Sequence, residues 1–378
     1  MKLTINREAL VKAVQDVSKA ISTKVTIPIL AGIKMEATDD GLILKGTDAD
    51  MSIMTLIPLE MDEQTVVEIE VLGSIVLQAK LFGEIIKKLP NQDVSLEVTD
   101  NFVTTVKSGN AEYNIIGLDP DDYPRFPKVD KKKQVQFKSS DLKDVIQSTI
   151  FAASDSESRP ALTGVLWNFG DGVLCTATDS YRLSNKKVML DTKNVTDMSD
   201  VIVPKKSLYE ISKLLNDSEE VVDVSFTDNQ VLFKLKNTSI YSRLLEGNYP
   251  DTSRLIPTEY KTSIHINKSE LLNSIARASL LATDSKKHVV KLQTQAAGTI
   301  QISSNTPELG KVEEELEAAS IEGDELTVSF SDRYMREALK ALPGEEIALY
   351  FNDSMRPFVM RPKDDSSTLQ LILPVRTY

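Results

Sequence analysis

The strongest constraint on this chain is that it repeats itself. An apolar residue followed after four intervening residues by Leu recurs as Ile5-Asn-Arg-Glu-Ala-Leu10, Phe137-Lys-Ser-Ser-Asp-Leu142 and Ile266-Asn-Lys-Ser-Glu-Leu271, at offsets of 132 and 129. Each opens a stretch whose apolar or small residues step by four, three and four: Leu10, Val14, Val17, Ile21; Leu142, Ile146, Thr149, Ala153; Leu271, Ile275, Ala278, Ala282. That spacing is one face of a helix, and the Ser or Asn near each start suits a cap. Further on, Gly41-Leu-Ile-Leu-Lys-Gly-Thr-Asp48 matches Gly172-Val-Leu-Cys-Thr-Ala-Thr-Asp179 and, more loosely, Gly298-Thr-Ile-Gln-Ile-Ser-Ser-Asn305. Alternating apolar residues after a turn glycine predict strands, which makes Cys175 a small buried hydrophobe.

A second helix recurs in the latter half of each copy. Aligning Lys80, Lys206 and Arg333 brings Glu84, Glu210 and Glu337 into register, then Lys87, Lys213 and Lys340, at offsets of 126 and 127. Positions i, i+4 and i+7 share one helical face, while Phe82, Ile85 and Leu89 line another that can pack on a sheet. The predicted helices are 6–21, 74–88, 139–152, 204–215, 267–282 and 331–341. The fold class is α+β: three repeats, each with two helices packed on antiparallel sheets. The domains are 1–128, 129–257 and 258–378, joined at Tyr123-Pro-Arg-Phe-Pro127 and Tyr249-Pro-Asp-Thr-Ser-Arg-Leu-Ile-Pro257, where proline and turn residues suit connectors.

Composition adds two exclusions. With 41% hydrophobic and 26% charged residues the chain is an ordinary folded one, and one cysteine excludes an intramolecular disulfide framework. The opening MKLTINREAL lacks the apolar run of a signal peptide, so the expected location is cytoplasmic.

Net charge is −12, which argues against nucleic acid only if the charge is spread evenly. Screening confines each charge to about 8 Å, so distribution matters more than the sum. The six predicted helices hold fifteen basic and nine acidic residues, a net of +6 that leaves −18 for the rest of the chain. The recurrent pair of cations one heptad apart points to a basic helical surface that contacts phosphates without reading bases. The first-helix series does not share the pattern: Lys12 and Lys19 become Asp144 and Phe151, then Asn273 and Leu280.

Several strings resemble one family along nearly the entire chain: Thr26-Ile-Pro-Ile-Leu30, Gly46-Thr-Asp48, Arg159-Pro-Ala-Leu-Thr-Gly164, Ala177-Thr-Asp-Ser-Tyr-Arg-Leu183, Tyr249-Pro250 and Leu373-Pro-Val-Arg376. With the threefold repeat they are similar to the bacterial sliding clamps, the beta subunits of DNA polymerase III. The resemblance implies a DNA-clamp fold and a head-to-tail homodimer, a ring of six domains whose twelve helices face a hole that holds double-stranded DNA of any sequence. Twelve helices about 10 Å apart give a ring roughly 38 Å across, with about 27 Å clear inside. Non-specific contacts with dissociation constants of about 10⁻⁴ to 10⁻⁶ M would not retain a polymerase; a closed ring retains it through topology.

Residue by residue, the resemblance implies DNA contacts at Lys24 and at the helix cations Lys80, Lys87, Lys206, Lys213, Arg333 and Lys340. It implies a partner-peptide pocket at Arg159, Leu162, Thr178, Arg182, Leu183, Pro257, Pro374, Val375 and Arg376, and a dimer interface of Tyr113 and Ile115 against Leu280 and Leu281. The implied partners are the polymerase III catalytic subunit, the clamp loader, and other polymerases and repair proteins that carry short peptide motifs. Ala161 stands where the family often has an aromatic, Val375 replaces a common methionine, and Thr377-Tyr378 extend the tail.

Chemistry-bearing constellations are scarce. His265 and His288 have no second ligand at metal spacing, and no phosphate-binding glycine loop occurs. The acidic runs Asp119-Pro-Asp-Asp122 and Glu313-Glu-Glu315 fall in a connector and a strand-flanking stretch. The expectation is a protein without catalytic residues, metal or cofactor; the rival reading is a repeat scaffold that binds proteins only.

Overall fold

Six times the chain runs straight from a strand into a helix. The computed structural model describes all residues except 23–26, 127–132, 196–197, 283–288, 296–297, 308 and 377–378. Among the described residues the α-helices are α1 (Arg7–Ser18), α2 (Ala79–Lys87), α3 (Ser139–Thr149), α4 (Lys205–Ser212), α5 (Lys268–Ala282) and α6 (Asp332–Ala341). The change of backbone is capped where the sequence supplies an acceptor. Asn6 accepts from the Glu8 and Ala9 amides at 3.0 and 3.1 Å, and Asn267 from the Glu270 amide at 3.0 Å.

Four helices are shorter than their periodicity predicts: α1 and α4 stop at Ser18 and Ser212, three residues early, and in the other two a competing pattern wins. Residues 74–78 belong to the strand Gly73–Gln78, whose continuous apolar run Ile75-Val76-Leu77 is fully buried and fits a strand as well as a helix. Residues 150–152 form a separate 3-10 turn. The observed helices carry +3 rather than +6, because Lys19 and Lys88 are C-terminal caps and Lys213 follows the last residue of α4. Cations there still complement the helix dipole. In α2 the buried face is Phe82, Gly83 and Ile86, continued by Leu89, with Ile85 only half-buried.

The chain forms two compact units, Met1–Ser139 with Glu210–Leu244, and Ser140–Tyr209 with Leu245–Tyr378. The middle repeat is divided between them, for a reason visible in the sheets. In the first unit an eight-stranded sheet takes Gln134–Lys138, Val221–Phe226, Gln230–Leu235 and Thr238–Arg243 from the middle repeat, then Met51–Pro58, Gly41–Thr47, Gly32–Thr38 and Gly73–Gln78 from the first. Thr238–Arg243 pairs antiparallel with Met51–Pro58, Ile240 opposite Ile53. In the second unit a nine-stranded sheet is joined the same way, Arg182–Val188 pairing with Thr368–Ile372 and Leu183 opposite Leu371. Each internal junction is therefore a continuous sheet.

Each unit also has a smaller sheet with two edge strands, Val67–Val71 being one of them in the first unit and Thr327–Ser331 in the second. At the other edge, the five-stranded sheet of the first unit ends at Ala111–Ile116, and the four-stranded sheet of the second ends at Gly310–Glu317. Glu314 thus lies within a strand, where its carboxylate meets the Arg277 guanidinium, a correction to its expected strand-flanking place. Asp121 lies in a 3-10 turn whose first acceptor is Asp119, and His265 sits in the strand Thr262–Asn267. His288 is outside the described residues. No helix among those described is long and apolar enough to cross a membrane.

The turn glycine of the repeat is required to different degrees. A Cβ on Gly41 (φ +136°) would lie 2.1 Å from the Ile57 carbonyl oxygen, and one on Gly172 (φ +87°) 2.3 Å from that of Val188. Gly298 (φ +81°) has no atom within 4 Å of that position. Gly41→Ala and Gly172→Ala should each destabilise by about 2–4 kcal/mol, and Gly298→Ala by roughly 1–2 kcal/mol from its backbone conformation alone. Urea unfolding of the three variants checks this order, and equal losses would contradict the steric account.

Candidate partner cleft and helix cations

The motif Thr-Asp after the second strand of the repeat builds the same turn twice. The Thr47 hydroxyl donates to the Met51 carbonyl (3.0 Å), and Asp48 accepts from the amides of Asp50 and Met51 at 3.1 and 2.8 Å. Likewise the Thr178 hydroxyl donates to the Arg182 carbonyl (2.6 Å), and Asp179 accepts from Tyr181 and Arg182 at 2.9 and 3.1 Å. Ala49 and Ser180, at the centre of each turn, share positive φ values of 79° and 78°. The Tyr of each following Tyr-Pro connector locks on: Tyr123 donates to the Gly32 and Lys45 carbonyls, and Tyr249 accepts from the Thr178 amide at 3.0 Å. Burial raises both phenols well above their ordinary pKa.

What differs is the side chain that the turn presents. Met51, 1% exposed, becomes Arg182, 5% exposed. The Arg182 guanidinium donates to Asp179 (3.0 Å), to the Phe151 carbonyl (2.5 Å) and to Glu337, and lies over the Tyr334 and Phe151 rings at 4.6 and 5.2 Å from their centroids. Every charge-bearing direction of this buried cation is occupied. Burial raises the pKa of Glu337, but hydrogen bonds and charge from Arg182 and then Arg333 outweigh it and hold the carboxyl below its usual range.

Beside this hub lies a polar cleft of about 490 Å³. Arg159 and Leu162 line it, with Arg182 at its wall. Among the contributors absent from the sequence expectation are Tyr181 and Tyr334, stacked with centroids 6.3 Å apart, and Arg333. Their signal was the repeat itself. Tyr181 falls where the first copy has Asp50, and Tyr334 where the others have Leu81 and Ser207. Arg333 lines this cleft as well as sharing the helix-cation register. Asp155, also in the lining, is held ionised mainly by its hydrogen bond from Lys205 at 2.6 Å.

The remaining pocket residues divide. Thr178 is buried and its hydroxyl is spent on the turn, so it frames the cleft and is not open to a partner. Leu183, 1% exposed, belongs to a small core of Val359, Leu369 and Leu371, a correction to its expected place on the pocket surface. Alternation along its strand sends Arg182 and Leu183 to opposite sides. Over that core pack Ile256, Tyr260 and Tyr350, and the Tyr260 hydroxyl donates to the Pro257 carbonyl at 2.8 Å. The tail runs alongside: Leu373 N–H donates to the Tyr181 carbonyl (3.0 Å) and Val375 N–H to that of Ser329 (2.8 Å), leaving Pro374 and Val375 half-buried and Arg376 exposed.

Lys80, Lys87, Lys206, Lys213, Arg333 and Lys340 are all exposed. The recurrent Glu accounts for part of their charge: Lys87 meets Glu84 at 3.2 Å, Lys213 meets Glu210 at 2.9 Å, and Arg333 meets Glu337 at 3.1 Å. Lys24 lies outside the described residues. At the expected interface Leu280 is 73% exposed and Leu281 half-buried, while Tyr113 is 40% exposed. Ile115 is 6% exposed, its side chain already in the sheet's core; its neighbour Ile116, 81% exposed, is the apolar group that this edge presents.

Three family models match successive parts of the chain: the N-terminal, central and C-terminal domains of the DNA polymerase III beta subunit match residues 1–127, 136–251 and 253–376. The chain belongs to the beta sliding clamp family. It is 51% identical to the beta sliding clamp of Bacillus subtilis and 45% to that of Staphylococcus aureus, over all of both chains in each case. The crystal structure of the Bacillus subtilis DNA polymerase sliding clamp superposes with a TM-score of 0.96 over the full length of both. A clamp from Pseudomonas aeruginosa bound to griselimycin, 25% identical, gives 0.92 over the same share.

Arg182→Gln leaves Glu337 and Asp179 facing an uncharged group and should destabilise by about 2–4 kcal/mol at neutral pH. Because the folded-state pKa of Glu337 is lowered, its contribution is complete above its ordinary value of 4.5 and fades as the pH falls below that. The gap in thermal midpoint between wild type and variant should therefore narrow on acidification. A gap that stays constant to pH 3 would remove Glu337 from the account.

Proposed function

We propose that two copies of this chain close head to tail into a ring that encircles duplex DNA without reading its sequence and tethers the replicative polymerase. The three domains are 1–128, 129–257 and 258–378. The observation that carries this reading is a pair of edge strands, one in each unit, that have exposed apolar side chains on or beside them. Both internal junctions are made by antiparallel strand pairing, and Ala111–Ile116 and Gly310–Glu317 remain as edges. Joining the first edge to the second edge of another copy repeats the internal junction, and doing so twice closes the ring. Tyr113 and Ile116 then meet Leu280 and Leu281, burying Tyr113, Ile116 and Leu280, which are exposed in the single chain.

The helix cations supply weak phosphate contacts, and retention comes from closure, with no turnover or cofactor of the chain's own. The cleft at Arg159, Leu162 and Arg333, with the apolar patch at Pro257 and the tail at Pro374, Val375 and Arg376, receives short peptides of the polymerase catalytic subunit, the clamp loader and other polymerases and repair proteins. Griselimycin, bound in the Pseudomonas aeruginosa clamp structure, serves as a probe for it. The site of action is the cytoplasm.

Sedimentation should give twice the chain mass, and the protein loaded by a clamp loader should stay on nicked circular DNA but leave after linearisation. A protein-only scaffold would show no such difference. Reversing Lys80, Lys87, Lys206, Lys213 and Lys340 to Glu should abolish loading without unfolding; undiminished retention would exclude a basic lining. Deleting 373–378 should weaken griselimycin binding by tenfold or more, about 1.4 kcal/mol, while the mass stays at two copies. Equal affinity in the truncated protein would take the tail out of the site.

A further inference from the structure

Between α1 and α2, in the first unit, lies an apolar cleft of about 610 Å³ that neither the polymerase tether nor the partner pocket uses. Val11, Val14, Ile21 and Ile86 form its floor and walls, and it opens because α2 carries Gly83 where the aligned helices carry Tyr209 and Arg336. Its volume falls within the roughly 300–1,000 Å³ of small-molecule sites. The rim is cationic. Lys87 has Glu84 beside it, but Lys80 has no ion-pair partner among the described residues.

We infer that this cleft binds a free anionic amphiphile, a small molecule whose apolar body lies between α1 and α2 and whose single negative head sits at Lys80. The body replaces water against side chains that Gly83 leaves uncovered, and the head satisfies the unmatched charge. An occupant neutralises one of the helix cations that the clamp reading assigns to DNA, so the site couples a metabolite to the electrostatics of that surface. The inference stands without the clamp reading, since its test involves no DNA.

The test uses the full-length protein with methyl labels and anilinonaphthalene sulfonate as probe. Phenylnaphthylamine, the same rings without the sulfonate, serves as the neutral comparison. Saturable shifts should concentrate at the methyls of Val11, Val14, Ile21 and Ile86. Lys80→Gln should weaken the sulfonate probe about fivefold and leave the neutral one unchanged. Gly83→Leu should abolish both. Should that variant not fold, Gly83→Ala, whose Cβ meets Val14 Cγ1 at an ordinary 3.6 Å, should still weaken both probes. Vesicles of anionic phospholipid should leave these methyls unmoved. Shifts elsewhere, a sulfonate probe indifferent to Lys80→Gln, or vesicles that move the same methyls would overturn the inference.

Discussion

Antiparallel strand pairing across the repeat boundary is the interaction on which everything else rests. A linker between repeats would leave each free to turn. Ile240 opposite Ile53 and Leu183 opposite Leu371 instead make the boundary a run of backbone hydrogen bonds with a buried face, and the angle between neighbours is then set by sheet twist. Lys186 reinforces the second junction: buried in Arg182–Val188, it meets Asp144 of α3 at 2.7 Å and the Thr368 hydroxyl of the facing strand at 2.9 Å. Rigid boundaries are also what lets a chain of identical joints close on itself.

The partner cleft shows how a repeat acquires a singular site at small structural expense. The Thr-Asp turn is the same in two copies down to its hydrogen bonds, and only what it holds has changed. Replacing Met51's counterpart by Arg182 demands acceptors, and Asp179, Glu337 and the Phe151 carbonyl provide them. The same cation gathers Tyr334 and Tyr181 into a stack that forms the cleft's wall. One guanidinium therefore both holds the turn together and lines the cleft.

The repeat, both helix series and the strand after each turn glycine were legible because their periods are local. Boundaries were less so: Gly73–Gln78 is apolar at every position from Ile75 to Leu77, and such a run carries no period to distinguish strand from helix. Exposure was legible only in part. Arg159 and Leu162 line the cleft, whereas Leu183 and Ile115 are apolar residues packed into the core, and which face of a strand is buried depends on pairing partners far along the chain. Tyr181 and Tyr334 left a trace that similarity between copies hides, since they lie where the copies disagree.

The glutamates beside Lys87, Lys213 and Arg333 have a consequence for motion. Only Lys87–Glu84 is exposed on both sides, Glu210 and Glu337 being half-buried; an exposed pair contributes well under about 1 kcal/mol, so on the proposed reading a passing phosphate takes that cation from a partner nearly as good as itself. The exchange leaves little net energy at any one register. If these cations line the proposed ring, the path along a uniform polyanion is then almost level, and friction stays low while attraction persists.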